Sequence, residues 1–151
     1  RALAHRAFDT ALLLPNSFEA AAVAFLARIP HRVGYARDGR GWLLTQAIEP
    51  PRAGGIPAHE VYYYLELIRR AGWLDALPDA AAPLLEGVEE ARVEARRICG
   101  VFLTNDSGSM HIAYAMRVPA VAVFGPTDHI GTGPLGAHTR IVRHAVECSP
   151  C

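Results

Sequence analysis

The chain contains no lysine; all fifteen of its basic Lys-plus-Arg positions are arginine. That removes a catalytic amine and a P-loop lysine from within these residues. A GC-rich coding sequence accounts for the bias itself without any function. No apolar run approaches the roughly 20 residues that a spanning helix needs. Three cysteines are too few for a disulfide framework. Neither sign of charge prevails, since fifteen acids balance fifteen bases, and no basic stripe of the kind that nucleic-acid binders carry is present. A signal-peptide pattern is missing too, and Arg1 in place of Met is consistent with a lost beginning. These absences leave a cytoplasmic globular protein or a piece of one, and 151 residues suffice for a real core.

What is there is a repeated strand–helix–strand grammar. Thr10 to Pro15 is a short continuous apolar run, as in a strand buried on both faces. Asn16 and Ser17 supply capping groups, and Glu19 follows Asn16 at capping-box spacing. Ala20 to Arg28 reads as a helix whose alanines let it approach a sheet closely, and Arg32 to Tyr35 as the next strand. Gly39 to Gly41 and Glu49 to Pro57 are loop-like. Ala58 to Ala71 is a helix with Val61, Tyr64, Leu65 and Ile68 on one apolar stripe and Gly72 as its stop. Tyr62 to Tyr64 form a half-buried helix face rather than a stacking platform. Residues 75 to 88, with their prolines and acids, look like a linker, and Glu89 to Ile98 is a second helix.

Beyond it, Val101 to Leu103, Ser107 to Arg117 and Ala120 to Phe124 repeat strand, helix and strand, and Arg140 to Arg143 is a last strand. The expected class is α/β with parallel sheets, in two incomplete halves. The boundaries expected are 1–72 for the first part, 73–100 for linker and connecting helix, and 101–151 for the second.

The richest stretch is Leu103-Thr104-Asn105-Asp106-Ser107-Gly108-Ser109-Met110-His111. A strand that turns through small polar residues into a helix offers unpaired backbone N–H groups and the positive end of a helix dipole, which suit a phosphate. Asp106 adds a carboxylate at the mouth of the turn, which suits a sugar hydroxyl instead. On the helix, rotation by 100° per residue aligns Ser107, His111 and Tyr114, with Ile112, Ala113 and Met116 facing the sheet. A serine nucleophile with His111 as base is one alternative, but the G-x-S-x-G elbow is absent. An N-cap serine beside a surface histidine is another, and phosphate capture by the Ser107 and Gly108 amides is favoured over both. Gly125-Pro126-Thr127-Asp128 follows a strand end, where open parallel sheets bind ligands; an ordinary Gly-Pro turn reads the same residues equally well.

Cys148 and Cys151 have the spacing of a zinc pair, yet a structural site needs four ligands and only His144 lies near. No metal is expected, and Cys99 reads as buried. His5, His31, His59, His129 and His138 lack ligand spacing.

Four segments in this order resemble the bacterial ADP-heptose:lipopolysaccharide heptosyltransferases of the heptosyltransferase II type. They are Leu14 to Glu19; Arg32 to Tyr35 with Arg40 and Leu43 to Thr45; Thr104 to Gly108 with Met110 and His111; and Phe124 to Thr127 with Thr132 and Pro134. Cys148-Ser149-Pro150-Cys151 closes the chain in the same style, so the resemblance runs from about Thr10 to Cys151. It implies a GT-B glycosyltransferase with two Rossmann-like domains facing a cleft, here truncated. The implied reaction is transfer of L-glycero-D-manno-heptose from ADP-heptose to the inner core of lipopolysaccharide, with inversion. Carried over by position, Asp106 would contact the donor heptose, and Ser107, Gly108 and His111, with Met110 beside them, the diphosphate. Gly125, Pro126 and Thr127 would shape the same pocket, and Asn16, Ser17 and Arg40 would belong to the acceptor side. No cofactor is implied beyond the donor substrate. The implied partners are that donor and a lipopolysaccharide acceptor at the inner membrane, which fits a cytoplasmic protein, peripheral or not.

Two departures stand out. The family opens with a glycine-rich loop and a nearby aspartate as general base, and nothing before Thr10 resembles it. The family also carries a lysine-bearing loop between linker and Asn-Asp-Ser-Gly motif, where Cys99-Gly100 here runs into Val101. The expectation is therefore a fragment with impaired activity or none. A non-catalytic nucleotide-sugar-binding remnant and another GT-B enzyme are the alternatives.

Overall fold

A computed structural model describes residues 7–81, 85–145 and 147. Its contacts divide the chain into two compact units, residues 1–57 with 61–77 and residues 58–60 with 78–151.

The first unit holds β1 (Thr10–Leu13), α1 (Phe18–Leu26), β2 (His31–Tyr35), a 3₁₀ turn at Gly41–Leu43, β3 (Gln46–Ile48) and most of α2 (Glu60–Arg70). Its strands form a parallel sheet in the order β1-β2-β3, with Leu12 opposite Val33 and Tyr35 opposite Ile48. Both faces are covered, as parallel sheets require. On one face Ala21 and Ala24 of α1 are buried against Leu13, Ile29, Leu43 and Leu44. On the other, Leu67 of α2 packs on Val33, Tyr35 and Ile48.

Two details of this unit differ from expectation. The cap of α1 is Ser17, whose hydroxyl accepts from Ala20 N, and not Asn16; the Asn16 side chain is drawn away to Arg40 and Tyr63. In α2 the buried residues are Tyr62, Glu66 and Leu67, while Val61, Tyr64, Leu65 and Ile68 are half-buried. The helix can turn a carboxylate inward because Arg69 and Arg70 both donate to Glu66, at 2.7 and 2.6 Å. The Arg69 hydrogen bond, opposed by burial and helped by Arg70, holds that carboxyl at about 2. A sequence stripe of apolar residues misses this because charge pairing, not hydropathy, sets the phase.

The second unit holds α3 (Glu89–Ile98), β4 (Phe102–Asn105), α4 (Gly108–Ala115), β5 (Ala120–Phe124), α5 (His129–Thr132) and β6 (Thr139–Arg143). Its sheet is again parallel, in the order β4-β5-β6, with Asn105 opposite Val123 and Phe124 opposite Arg143. One face packs Met110 on Ala122 and Phe124, and Ala113 on Val118 and Ala120. On α4, Tyr114 is buried and Ile112 is 57% exposed, the reverse of the expected helix face. The physical reason is the loop at Gly136: a Cβ there would lie 2.7 Å from the Tyr114 ring, so the chain folds over that ring at a residue without one. Ala113 faces inward as expected, and Met116 is half-buried. β3, α5 and the 3₁₀ turn are elements that the sequence pattern did not separate from loop.

Candidate functional site

In the second unit all three strands run the same way, so the segments that leave β4, β5 and β6 emerge at one end of the sheet. That is the end at which open α/β sheets take ligands. The first segment is Asp106-Ser107, leading into α4. Ser107 is the N-cap residue in extended conformation, but its side chain makes no capping hydrogen bond. Its Oγ lies 2.8 Å from Ser109 Oγ and 3.4 Å from Thr104 Oγ1, and Thr104 Oγ1 is 3.3 Å from Ser109 Oγ. Three hydroxyls thus cluster at the mouth, and the first turn of α4 has no side-chain cap from its own N-cap residue. Uncapped amides at a helix start are the donors that a phosphate satisfies. The Ser107 hydroxyl is occupied by these neighbours rather than presented to a base, which argues against a nucleophile. Gly108 is exposed, and Asp106 and His111 are half-buried. Met110 differs from its motif neighbours: it is fully buried against Ala122 and Phe124, so its side chain seats the helix and does not line a pocket.

The second segment is Gly125-Pro126-Thr127, all three exposed. Asp128 ends it by accepting from Ile130 N at 3.0 Å, while its carbonyl accepts from the Thr132 hydroxyl at 2.9 Å. Behind it, a His59 ring nitrogen lies 2.8 Å from the Gly133 carbonyl. The third segment begins at Arg143, whose Nη1 lies 2.7 Å from His129 Nδ1. Sequence reasoning assigned no individual role at the site to Thr104, Ser109, His129 or Arg143. The signal for the hydroxyls was present, since Thr104, Ser107 and Ser109 crowd one short turn. Arg143 as a cation closing an apolar strand was also visible.

In the first unit Asn16, Ser17 and Arg40 are brought together where β1 ends. Arg40 is fully buried. Its Nε donates to the Tyr35 carbonyl at 3.0 Å, Nη1 donates to the carbonyls of Pro15 and Ser17, and Nη2 donates to Asn16 Oδ1 at 3.3 Å. Asn16 in turn donates to the Tyr63 hydroxyl at 3.1 Å, and the Tyr35 hydroxyl donates to the Tyr63 carbonyl at 2.6 Å. Burial lowers the Arg40 pKa, and burial followed by the nearby Tyr63 pushes the Tyr35 phenol up to about 12. Gly34 leaves the room for this, because a Cβ there would meet Leu13 and the Arg40 Nη2 at 3.3 and 3.4 Å. Arg40 is therefore a strut inside the β1–α1 loop. It shapes what Asn16 and Ser17 present, and its own guanidinium is spent.

Cys148 and Cys151 lie outside the described residues. Among the described residues no group of three or more His, Cys, Asp or Glu side chains can hold a metal, and no helix is long and apolar enough to cross a membrane.

Comparison with known proteins adds the following. The family model described as glycosyltransferase family 9 (heptosyltransferase) matches residues 1–86 and 90–151. Lipooligosaccharide heptosyltransferase 2 of Campylobacter jejuni serotype O:6 is 41% identical over 54 residues, which are 35% of this chain and 17% of that protein. Lipopolysaccharide heptosyltransferase 2 of Salmonella typhimurium is 25% identical over 231 residues, covering 93% of this chain and 66% of the relative. The chain thus spans less than two thirds of these relatives. The 231-residue alignment exceeds the chain's own 151 residues, so the relative holds an internal stretch without counterpart here. In fold the chain is similar to the E. coli ADP-heptose lps heptosyltransferase II structure, with a TM-score of 0.54 and 21% identity over 98% of this chain and 72% of that one.

Proposed function

This chain belongs to glycosyltransferase family 9 (heptosyltransferase), and from that we propose that it carries the donor-phosphate turn and part of the acceptor side of a heptosyltransferase. The reaction proposed is transfer of L-glycero-D-manno-heptose from ADP-heptose to the inner core of lipopolysaccharide. The acceptor hydroxyl bonds the anomeric carbon on one face as the bond to the diphosphate oxygen breaks on the other. ADP leaves with that electron pair. No residue is assigned as the base that takes the acceptor proton.

The observation that carries this reading is the Asn105–Gly108 turn, an uncapped helix start at the ligand end of a parallel sheet. Negative charge grows on the departing diphosphate, and fixed amides at a helix start stabilise it without reorganising. In this reading Ser107, Gly108 and His111 hold the diphosphate, Asp106 takes heptose hydroxyls, and Gly125, Pro126 and Thr127 shape the pocket. Met110 acts from the core. Asn16 and Ser17, braced by Arg40, belong to the acceptor side. Residues 1–72 and 101–151 are assigned to acceptor and donor domains, joined through 73–100. The acceptor would be met at the inner face of the inner membrane.

One observation favours a second reading, a remnant that binds nucleotide sugar without turning it over. The aligned relative has internal residues that this chain lacks, and the chain has no lysine. Titration with ADP and ADP-heptose, followed by a transfer assay on a lipid A-linked acceptor, separates the two: turnover sinks the remnant. Asp106→Ala is expected to weaken ADP-heptose about tenfold more than ADP, the loss of a charged hydrogen bond. Equal weakening of both ligands would remove the heptose contact from Asp106.

A further inference from the structure

Arg143 closes β6 opposite Phe124, the last residue before Gly125. Strand alternation puts its side chain on the sheet face of Phe124, Ala122 and Ile141. There its Nη1 donates to His129 Nδ1 at 2.7 Å, a contact that needs this nitrogen unprotonated. The imidazole sits edge-on to the Phe124 ring, 6.3 Å between centroids. The Arg143 Nε is buried and has no hydrogen-bond partner.

Other arginines of the described chain spend the guanidinium on carboxylates or carbonyls, Arg32 and Arg96 on carbonyls alone, although the Arg92 Nε is orphaned as the Arg143 Nε is. Arg69 and Arg70 share Glu66, Arg92 has Glu89, and Arg97 has Glu94. Buried Arg40 is spent on three carbonyls and an amide oxygen. Arg143 forms no ion pair among the described residues, and a neutral ring is its hydrogen-bond partner. A half-buried guanidinium with no counter-charge can take an anion at its terminal nitrogens, while the buried Nε stays out of reach of a ligand. Its place defines which anion. With strands about 4.8 Å apart, the ends of β4 and β6 are separated by about 10 Å, so an arginine side chain from β6 can reach a ligand seated on the amides that follow β4.

We propose that Arg143, oriented by His129, is a second anchor for the phosphate groups of a nucleoside-diphosphate ligand at this sheet end, opposite the Ser107–Gly108 amides. The planar fork can hold two phosphate oxygens at once, and His129 keeps it aimed while the site is empty. The inference rests on the donor reading of the preceding subsection and adds a residue and a role to it.

The test uses the full chain, with ADP, AMP, adenosine and inorganic phosphate as probes in calorimetric titrations. Arg143→Gln is expected to weaken ADP at least tenfold and leave adenosine unchanged, with Arg143→Lys restoring part of the ADP affinity. The salt dependence of ADP binding should also flatten in the Gln variant, which a purely structural role would not produce. Wild-type chain that binds ADP no better than it binds adenosine overturns the donor reading and this inference together. Wild-type chain that binds ADP through its phosphates, with Arg143→Gln equal to it, overturns the inference alone. Should Arg143→Gln lose the wild-type far-UV dichroism, the arginine Nε–H resonances of the wild-type chain decide. The Arg143 signal is expected to move with ADP and stay with adenosine, and an unmoved signal with ADP bound overturns the proposal.

Discussion

Arg40 shows how one side chain can brace a loop of the candidate site from inside. The resemblance read from the sequence would place it among the acceptor-side residues with Asn16 and Ser17. The structure gives it another kind of work: it lies at zero exposure and satisfies the carbonyls of Pro15, Ser17 and Tyr35 from inside. Arg40→Ala would leave those acceptors dry and unpaired. It is expected to cost about 3 kcal/mol in urea denaturation, and Arg40→Lys about 2 kcal/mol because an ammonium cannot reproduce the fork. A loss under about 1 kcal/mol for the alanine variant would mean that the loop is held by other contacts. Met110 teaches the converse. It stands inside the Asn105–His111 stretch, yet helix phase turns it into the core between Ala122 and Phe124, which spacing alone does not reveal.

At the scale of elements, three helices end in the same way. After α1, Ile29 N bonds Ala24 O and Arg28 N bonds Phe25 O; after α2, Trp73 N bonds Ile68 O and Gly72 N bonds Arg69 O; after α4, Val118 N bonds Ala113 O and Arg117 N bonds Tyr114 O. Each is a Schellman closure, and each needs a left-handed residue at its centre. Gly72 fills that place at φ 84, whereas Arg28 and Arg117 sit at φ 59 and 55. A side chain there strains the backbone, so Arg28→Gly and Arg117→Gly are each expected to stabilise the chain by about 0.5–1 kcal/mol in thermal denaturation. A destabilisation from either would show that its arginine makes contacts worth more than the strain.

The same closures explain what was legible. Gly72 announced its helix end in the sequence, but arginine in the same role carries no such signal, and the ends after α1 and α4 had to be inferred from the strands that follow. Five of the six strands were readable in the sequence, two of them as continuous apolar runs. β3 was not, because Gln46-Ala47-Ile48 is too short and buries only Ile48. Of the candidate site, the Asn105–Gly108 turn was legible from its small polar residues, whereas the Arg143–His129 contact joins residues 14 apart through the fold.

Each of the two units is built on a three-stranded parallel sheet, and the two differ in how well those sheets are covered. In the first unit, helices bury both faces. In the second, the residues paired as Leu103 with Val121 and Val123 with Val142 share a face away from Met110, Ala122 and Phe124. There Leu103 is 70%, Val142 51% and Val123 47% exposed. Valine and leucine on a parallel strand normally meet a helical layer, and an apolar face of this size in water favours contact between molecules. The chain is therefore expected to self-associate as its concentration rises in sedimentation velocity, and to bind an apolar dye. Leu103→Lys with Val123→Lys should suppress both. The double change should alter the urea midpoint little, since neither side chain is buried in the single chain and each lysine can extend into water. Association that persists undiminished in the double variant would place the sticky surface elsewhere, with the exposed Val93, Ile98 and Ile112 the next to replace.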